Sequence, residues 1–158
     1  MLTFMLDFTF IDNYNLSPFE EDFYRDIIKI AIKSLDLGEL SIGLSLQIES
    51  IDGMRKLNYQ YRNKDKPTDV LSFPIYDELV DSNFKNRGTI EIGDLYICPE
   101  VAITKAEQNN KTLEQEYYFL VVHGFLHLLG YDHERSVDEE MLMFEIQDKI
   151  IEIIQNNN

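Results

Sequence analysis

All three histidines of the chain fall in one stretch, His123-Gly-Phe-Leu-His127-Leu-Leu-Gly130-Tyr-Asp-His133. His123 and His127 are four residues apart, so on a helix both imidazoles leave the same face, about 6 Å apart at the backbone. Two rings so placed suit one tetrahedral metal ion, since zinc–nitrogen bonds run about 2.0–2.1 Å. Gly130 is where such a helix must stop. Glycine accepts a positive φ at little steric cost, and the reversal brings His133 to a third position. A lone histidine on an apolar helix face is ordinarily a hydrogen-bonded core residue. Three at this spacing are harder to place that way, because burying each without a partner costs on the order of 1–3 kcal/mol. The spacing therefore predicts one zinc ion held by His123, His127 and His133. Structural zinc sites usually close with four protein ligands, often cysteines, whereas three imidazoles leave a position open for water. Open coordination points to catalysis.

The pattern H-x-x-x-H-x-x-G-x-x-H is shared with the metzincin proteases. Those enzymes place a glutamate directly after the first histidine as general base, and this chain has Gly124 there. Peptidase chemistry loses its proton acceptor, although an ion can still bring the pKa of its water near neutrality. No carboxylate is assignable as a general base. An anionic substrate calls for a positive partner to the charge that develops in the transition state. Between Met54 and Pro67, Arg55, Lys56, Arg62, Lys64 and Lys66 stand against Asp65 alone, and Arg62 is the candidate. The commoner use of such a run is a solvated loop. Asp132, Asp94 and the Tyr131 hydroxyl are candidates to orient the histidines, with surface or packing roles as the alternative.

The elements that must position these groups are legible from periodicity. Leu2, Phe4, Leu6, Phe8 and Phe10 alternate as in a half-buried strand, and Leu40, Ile42, Leu44, Leu46 and Ile48 do the same. Ser17-Pro18-Phe19-Glu20 has the form of a helix start with a capping box. Phe19, Phe23, Ile27, Ile30 and Ser34 follow at helical spacing, with Gly38 as the stop. A short helix is predicted over 51–61, a third strand over 70–75 and a fourth over 92–98. Pro74 favours an edge position for the third. The connection over 76–87 is polar and acidic. Three helices close the chain: 100–109; a second from Thr112 and Gln115 to about Leu129; and a last from Ser136 and Glu139, with Leu142, Ile146, Ile150 and Ile153 facing inward. The middle one is apolar almost all round after its first turn, so it belongs at the centre of the protein. Strands first and helices mostly afterwards predict an α+β fold with one mixed four-stranded sheet and about five helices, its order not derivable.

The chain's 158 residues fit a single domain over 1–155, with a disordered tail over 156–158. Apolar residues at 44% and charged residues at 27% belong to a globular protein rather than a disordered one. The first ten residues make a poor signal peptide, and no stretch approaches the roughly 20 apolar residues of a membrane span. The single cysteine, Cys98, excludes a disulfide framework and is expected as a small buried apolar side chain. Cytoplasm is the expected compartment. The net charge of −15, from 14 basic and 29 acidic residues, opposes non-specific binding to polyanions.

The histidine stretch resembles the signature of the YbeY endoribonucleases. Residues 57–74, from Leu57-Asn58-Tyr59 through Lys66-Pro67-Thr68-Asp69 to Phe73-Pro74, agree with that family, as does Gly93-Asp94-Leu95-Tyr96-Ile97. The likeness covers about Leu40 to Arg135. It implies a bacterial cytoplasmic enzyme that cleaves single-stranded RNA, matures the 3′ end of small-subunit (16S) ribosomal RNA and takes part in ribosome quality control. It implies zinc on the three histidines, Arg62 facing the metal cleft, and the small subunit and its assembly factors as partners, with neither DNA nor membrane. The alternatives are a zinc-containing assembly factor that binds RNA without cutting it and, disfavoured by Gly124, a zinc peptidase.

Overall fold

The computed structural model describes residues 5–37, 40–77 and 88–157. Strands β1 (Leu6–Ile11), β2 (Ser41–Ile48), β3 (Val70–Pro74) and β4 (Thr89–Ile97) alternate with α1 (Glu21–Ser34) and α2 (Ile51–Arg62), before α3 (Pro99–Gln108), α4 (Leu113–Leu128) and α5 (Val137–Asn156). The sheet runs in the order β1-β2-β4-β3. β1, β2 and β4 are parallel, and β3 returns antiparallel along the edge of β4. Pro74, which cannot donate to a sheet, lies on that edge strand, as expected. The architecture is the predicted α+β single layer of sheet with helices packed on it.

The second predicted strand is the apolar spine of the sheet: Leu40, Ile42, Leu44, Leu46 and Ile48 are all buried. In β1, Phe8 is buried while Leu6 and Phe10 are half-buried against the core, and Leu2 and Phe4 lie outside the described residues. β4 begins at Thr89, three residues earlier than its hydrophobic run suggested. Gly93 explains its irregular alternation. Its φ of 138° opens to glycine, a Cβ there would clash with the Phe73 carbonyl oxygen, and the register with β2 slips at the facing pair Gly43/Leu44. The slip sends Asp94 to the open face of the sheet.

α4 lies at the centre, with Tyr117, Leu120, Val121, Val122, Phe125, Leu126 and Leu128 inaccessible to solvent. Cys98 is buried beside Met54 and Leu71, as a small apolar side chain should be.

Two helices differ from expectation. Among the described residues α1 starts at Glu21 without a side-chain cap, and the Asp12 carboxylate accepts from the Leu16 and Ser17 N–H groups in the turn before it. Ser17 Oγ instead donates to the Phe19 carbonyl and pairs with the Tyr24 hydroxyl at 2.6 Å. Gly38, the expected stop, lies outside the described residues; Ser34, the last residue of α1, is exposed. In α5 the inward stripe is Met143, Gln147, Ile150 and Ile154, whereas Leu142 and Ile153 are 50% and 41% exposed. A buried glutamine occupies a position that hydrophobicity alone assigns elsewhere. α5 also carries helix through Asn156, with Asn157 as its C-cap, where a disordered tail was expected from 156.

Candidate metal centre

α4 opens as expected. The Thr112 side chain accepts from the Gln115 N–H, and the Gln115 side chain answers to the Thr112 N–H. Its end is a Schellman turn: Gly130 N–H donates to the His127 carbonyl and Tyr131 N–H reaches back to the Leu126 carbonyl, both at 3.1 Å. Gly130 takes a φ of 97°, the left-handed region that glycine alone enters cheaply. Arg135 Nη2 then donates to the Gly130 carbonyl at 2.7 Å, and Asp132 Oδ1 accepts from the Glu134 N–H at 2.8 Å. This small network holds His133 back over the helix end.

The three imidazoles therefore meet. Ring centroids are 4.6 Å apart for His123 and His127, 5.3 Å for His123 and His133, and 5.2 Å for His127 and His133. One ligand atom from each lies within 4.8 Å of the others, so the cluster can hold a metal ion. His123 and His127 present their Nε2 atoms to one another at 3.1 Å. Two nitrogens bound to one tetrahedral zinc are separated by about 3.3 Å, so that spacing suits a shared ion. His123 Nδ1 lies 2.9 Å from the Gln147 amide oxygen. With its proton donated there, His123 turns a bare lone pair toward His127, and a proton or a cation has to lie between the two nitrogens. His133 Nδ1 is buried with no hydrogen-bond partner among the described residues. These residues fit a divalent ion of the kind imidazole binds.

Electrostatics agree. Burial is the main force lowering the pKa of His123, against the opposing bond to Gln147. Burial, reinforced by the neighbouring His123 and His133, lowers that of His127 to about 4. Neutral imidazole is the metal-binding form. Phe119 stacks on His123 at 5.4 Å and 12°, which fixes the plane of the ring.

The rings line a cleft of about 480 Å³ together with Arg62, Lys64 and Lys66. Arg62 is the last residue of α2, and Asn63 ends the helix in the left-handed region at φ 56°. Among the described residues the Arg62 guanidinium is bonded to a backbone carbonyl, that of Ser72 at 3.1 Å, and to no carboxylate. Buried Asn58 donates to the Lys66 carbonyl at 2.8 Å and ties the basic loop to the helix. The other two cations of the segment serve elsewhere: Arg55 makes a two-pronged ion pair with Asp65 at 2.7 and 3.0 Å, and Lys56 borders a separate hollow with Tyr59. Of the candidate orienting groups, Asp132 and Tyr131 line the cleft. The Glu134 N–H, then Arg135, hold the Asp132 carboxyl below its usual range. Asp94 does not join them; it accepts from Ser45 Oγ on the opposite face of the sheet.

Gly124, where a protease has its glutamate, faces the sheet. A Cβ there would come 2.8 Å from Leu95 Cδ2 and 3.5 Å from Val70 Cγ2. Two groups near the rings escaped the sequence. Gln147 left one trace, a polar residue at the helical period of an apolar stripe. Asp69, buried at the cleft and ion-paired to Lys105 at 2.8 Å, left none, since nothing in the sequence joins residues 69 and 105.

Comparison with known proteins agrees with this geometry. The family model described as Endoribonuclease YbeY matches residues 10–155. A Mesoplasma florum protein named Endoribonuclease YbeY is 40% identical over 154 residues, covering 97% of this chain and 89% of the relative. A Sulfurihydrogenibium protein of the same name is 39% identical over 130 residues, 82% of this chain and 80% of the relative. Among solved structures, TM1509 from Thermotoga maritima superposes with a TM-score of 0.63 at 27% identity, covering 95% of this chain and 90% of that one.

Proposed function

The chain belongs to the YbeY family, and from that premise we propose that it is a metal-dependent endoribonuclease cleaving single-stranded RNA. Zinc is the proposed ion, with His123, His127 and His133 as ligands and Arg62 holding the scissile phosphate. One observation carries the proposal: three converging imidazoles line the same cleft as Arg62, Lys64 and Lys66. Preference for a single strand is what the family resemblance implies.

When bound, the ion supplies Lewis acidity toward a phosphoryl oxygen and toward water. The protein supplies position and charge. The Arg62 fork, steadied by the Ser72 carbonyl, offers its remaining donors to phosphate oxygens in the planar geometry that guanidinium and phosphate share. Lys64 and Lys66 attract the strand on either side without reading its bases. Gly124 provides no base and has no room for one.

The finer assignment follows the family resemblance alone. It comprises maturation of the 3′ end of 16S ribosomal RNA and ribosome quality control, in the cytoplasm, with the small subunit and its assembly factors as partners. Among the described residues no helix is long and apolar enough to cross a membrane.

The test is cleavage of single-stranded RNA by purified protein of measured metal content, beside His127→Ala and Arg62→Glu. Both variants should lose turnover, and chelation should abolish that of the parent. Unchanged cleavage by both variants would remove the site from consideration. Binding of RNA with no metal-dependent turnover would favour a zinc-containing assembly factor instead.

A further inference from the structure

His123 has its outer nitrogen held by a side chain, and that side chain belongs to the last helix. Gln147 sits on the inward stripe of α5, 1% exposed, in line with Met143, Ile150 and Ile154. An amide in that stripe costs on the order of 1–3 kcal/mol unless it is hydrogen-bonded. Its oxygen lies 2.9 Å from His123 Nδ1.

A neutral imidazole carries one proton on one of two nitrogens, and the partner of one decides the state of the other. An acceptor at Nδ1 draws the proton there and leaves the Nε2 lone pair bare, 3.1 Å from His127 Nε2. With the opposite tautomer, the proton would stand where a shared ion has to sit. Phe119 fixes the plane of the ring by stacking but has no say in its protonation.

We infer that Gln147 is a positioning residue of the metal centre, fixing His123 in the Nδ1–H tautomer that aims Nε2 at the ion. Docking of α5 and readiness of the site are thereby coupled through one hydrogen bond. The inference rests on the metal-centre reading above. It needs an acceptor at 147, not an amide as such.

The test uses the full chain as wild type, Gln147→Leu and Gln147→Glu. Ring nitrogen shifts of His123 in the metal-free protein report its tautomer directly, and competition with a chromogenic chelator reports zinc affinity. Wild type should show Nδ1–H. Gln147→Leu should lose that preference and bind zinc roughly 10- to 100-fold more weakly. Gln147→Glu, which keeps an acceptor, should recover both. An Nε2–H tautomer in the wild type overturns the inference, even if the leucine variant does not fold. So does zinc affinity unchanged in Gln147→Leu, or as weak in Gln147→Glu as in the leucine variant. Failure of the wild type to take up zinc, cobalt or manganese overturns the metal centre itself, a result distinct from equal affinities among the three proteins.

Discussion

Replacing Gly130 by alanine separates the two things the turn after α4 does, which are to end a helix and to deliver His133. Gly130 holds a φ of 97°, where an L-residue brings its Cβ against the following carbonyl at a cost of roughly 1–2 kcal/mol. For a chain of this length each kcal/mol lowers the midpoint by about 2–4 °C. The metal-free variant should therefore melt roughly 2–8 °C below the parent. If the strain is relieved by opening the turn, the Tyr131 to Leu126 bond lengthens and His133 swings away. If zinc occupies the site as proposed, zinc at 1,000 times its Kd should stabilise the parent by about 4 kcal/mol through linkage, and that increment should shrink in the variant. The assay is thermal unfolding by circular dichroism after chelation, repeated with added zinc. Gly130→Asn should fall between the two, because asparagine tolerates positive φ better than alanine. A metal-free Gly130→Ala protein melting within about 1 °C of the parent would refute the strain argument. A reduced midpoint with an undiminished zinc increment would refute the claim that the turn delivers the third ring.

Two other perturbations probe α4. Glu116 is buried, its Oε2 lacks a hydrogen bond among the described residues, and Lys111 Nζ stands 3.9 Å away, so burial raises its pKa. A carboxyl with a folded pKa above its unfolded one favours folding at low pH, and that contribution is lost as pH rises from the unfolded value through the folded one. Glu116→Gln should accordingly melt higher than the parent at pH 7 to 8 and lose the advantage toward pH 4; a difference that does not vary with pH would count against buried ionisation there. Gly124→Glu, which restores the protease-like residue, should give an unstable protein, not a peptidase, because the side chain enters the contact with Leu95 and Val70 as an unpaired charge. Thermal unfolding and peptide hydrolysis decide it, and a folded, peptide-cleaving variant would reverse the conclusion.

The spacing of His123, His127, Gly130 and His133 was fully legible because a helix followed by a glycine turn is local geometry, fixed within eleven consecutive residues. Capping at Thr112 and Ser136 was legible for the same reason. What escaped were relations between distant segments. The inward face of α5 was misread because hydrophobicity prefers Leu142 and Ile153, whereas the helix turns Gln147 inward to meet a histidine 24 residues earlier. Asp94 was a candidate for the site until the slip at Gly93 placed it across the sheet. Of the five cations between Met54 and Pro67, only Arg62, Lys64 and Lys66 reach the cleft, because Asp65 captures Arg55 from ten residues away. Composition shows a charged run; only the fold shows which members are already engaged.

That distinction also bears on how a chain with a net charge of −15 could grip a polyanion. Net charge governs the field beyond a Debye length, about 8 Å at physiological salt, and inside that range individual groups decide. At the cleft, Asp69 is neutralised by Lys105, and Asp132 is engaged by Arg135 and the Glu134 N–H. Arg62, by contrast, is bonded among the described residues to a neutral carbonyl. Asp77 and Glu134 also line the cleft and pull the other way, so the attractive region is narrow and oriented. On the proposed reading, an acidic body with such a lip would repel nucleic acid that approaches at random and hold a strand only where a phosphate comes within contact of Arg62. For an endoribonuclease, weak association elsewhere on the surface would leave the cleft as the place where binding energy is gained.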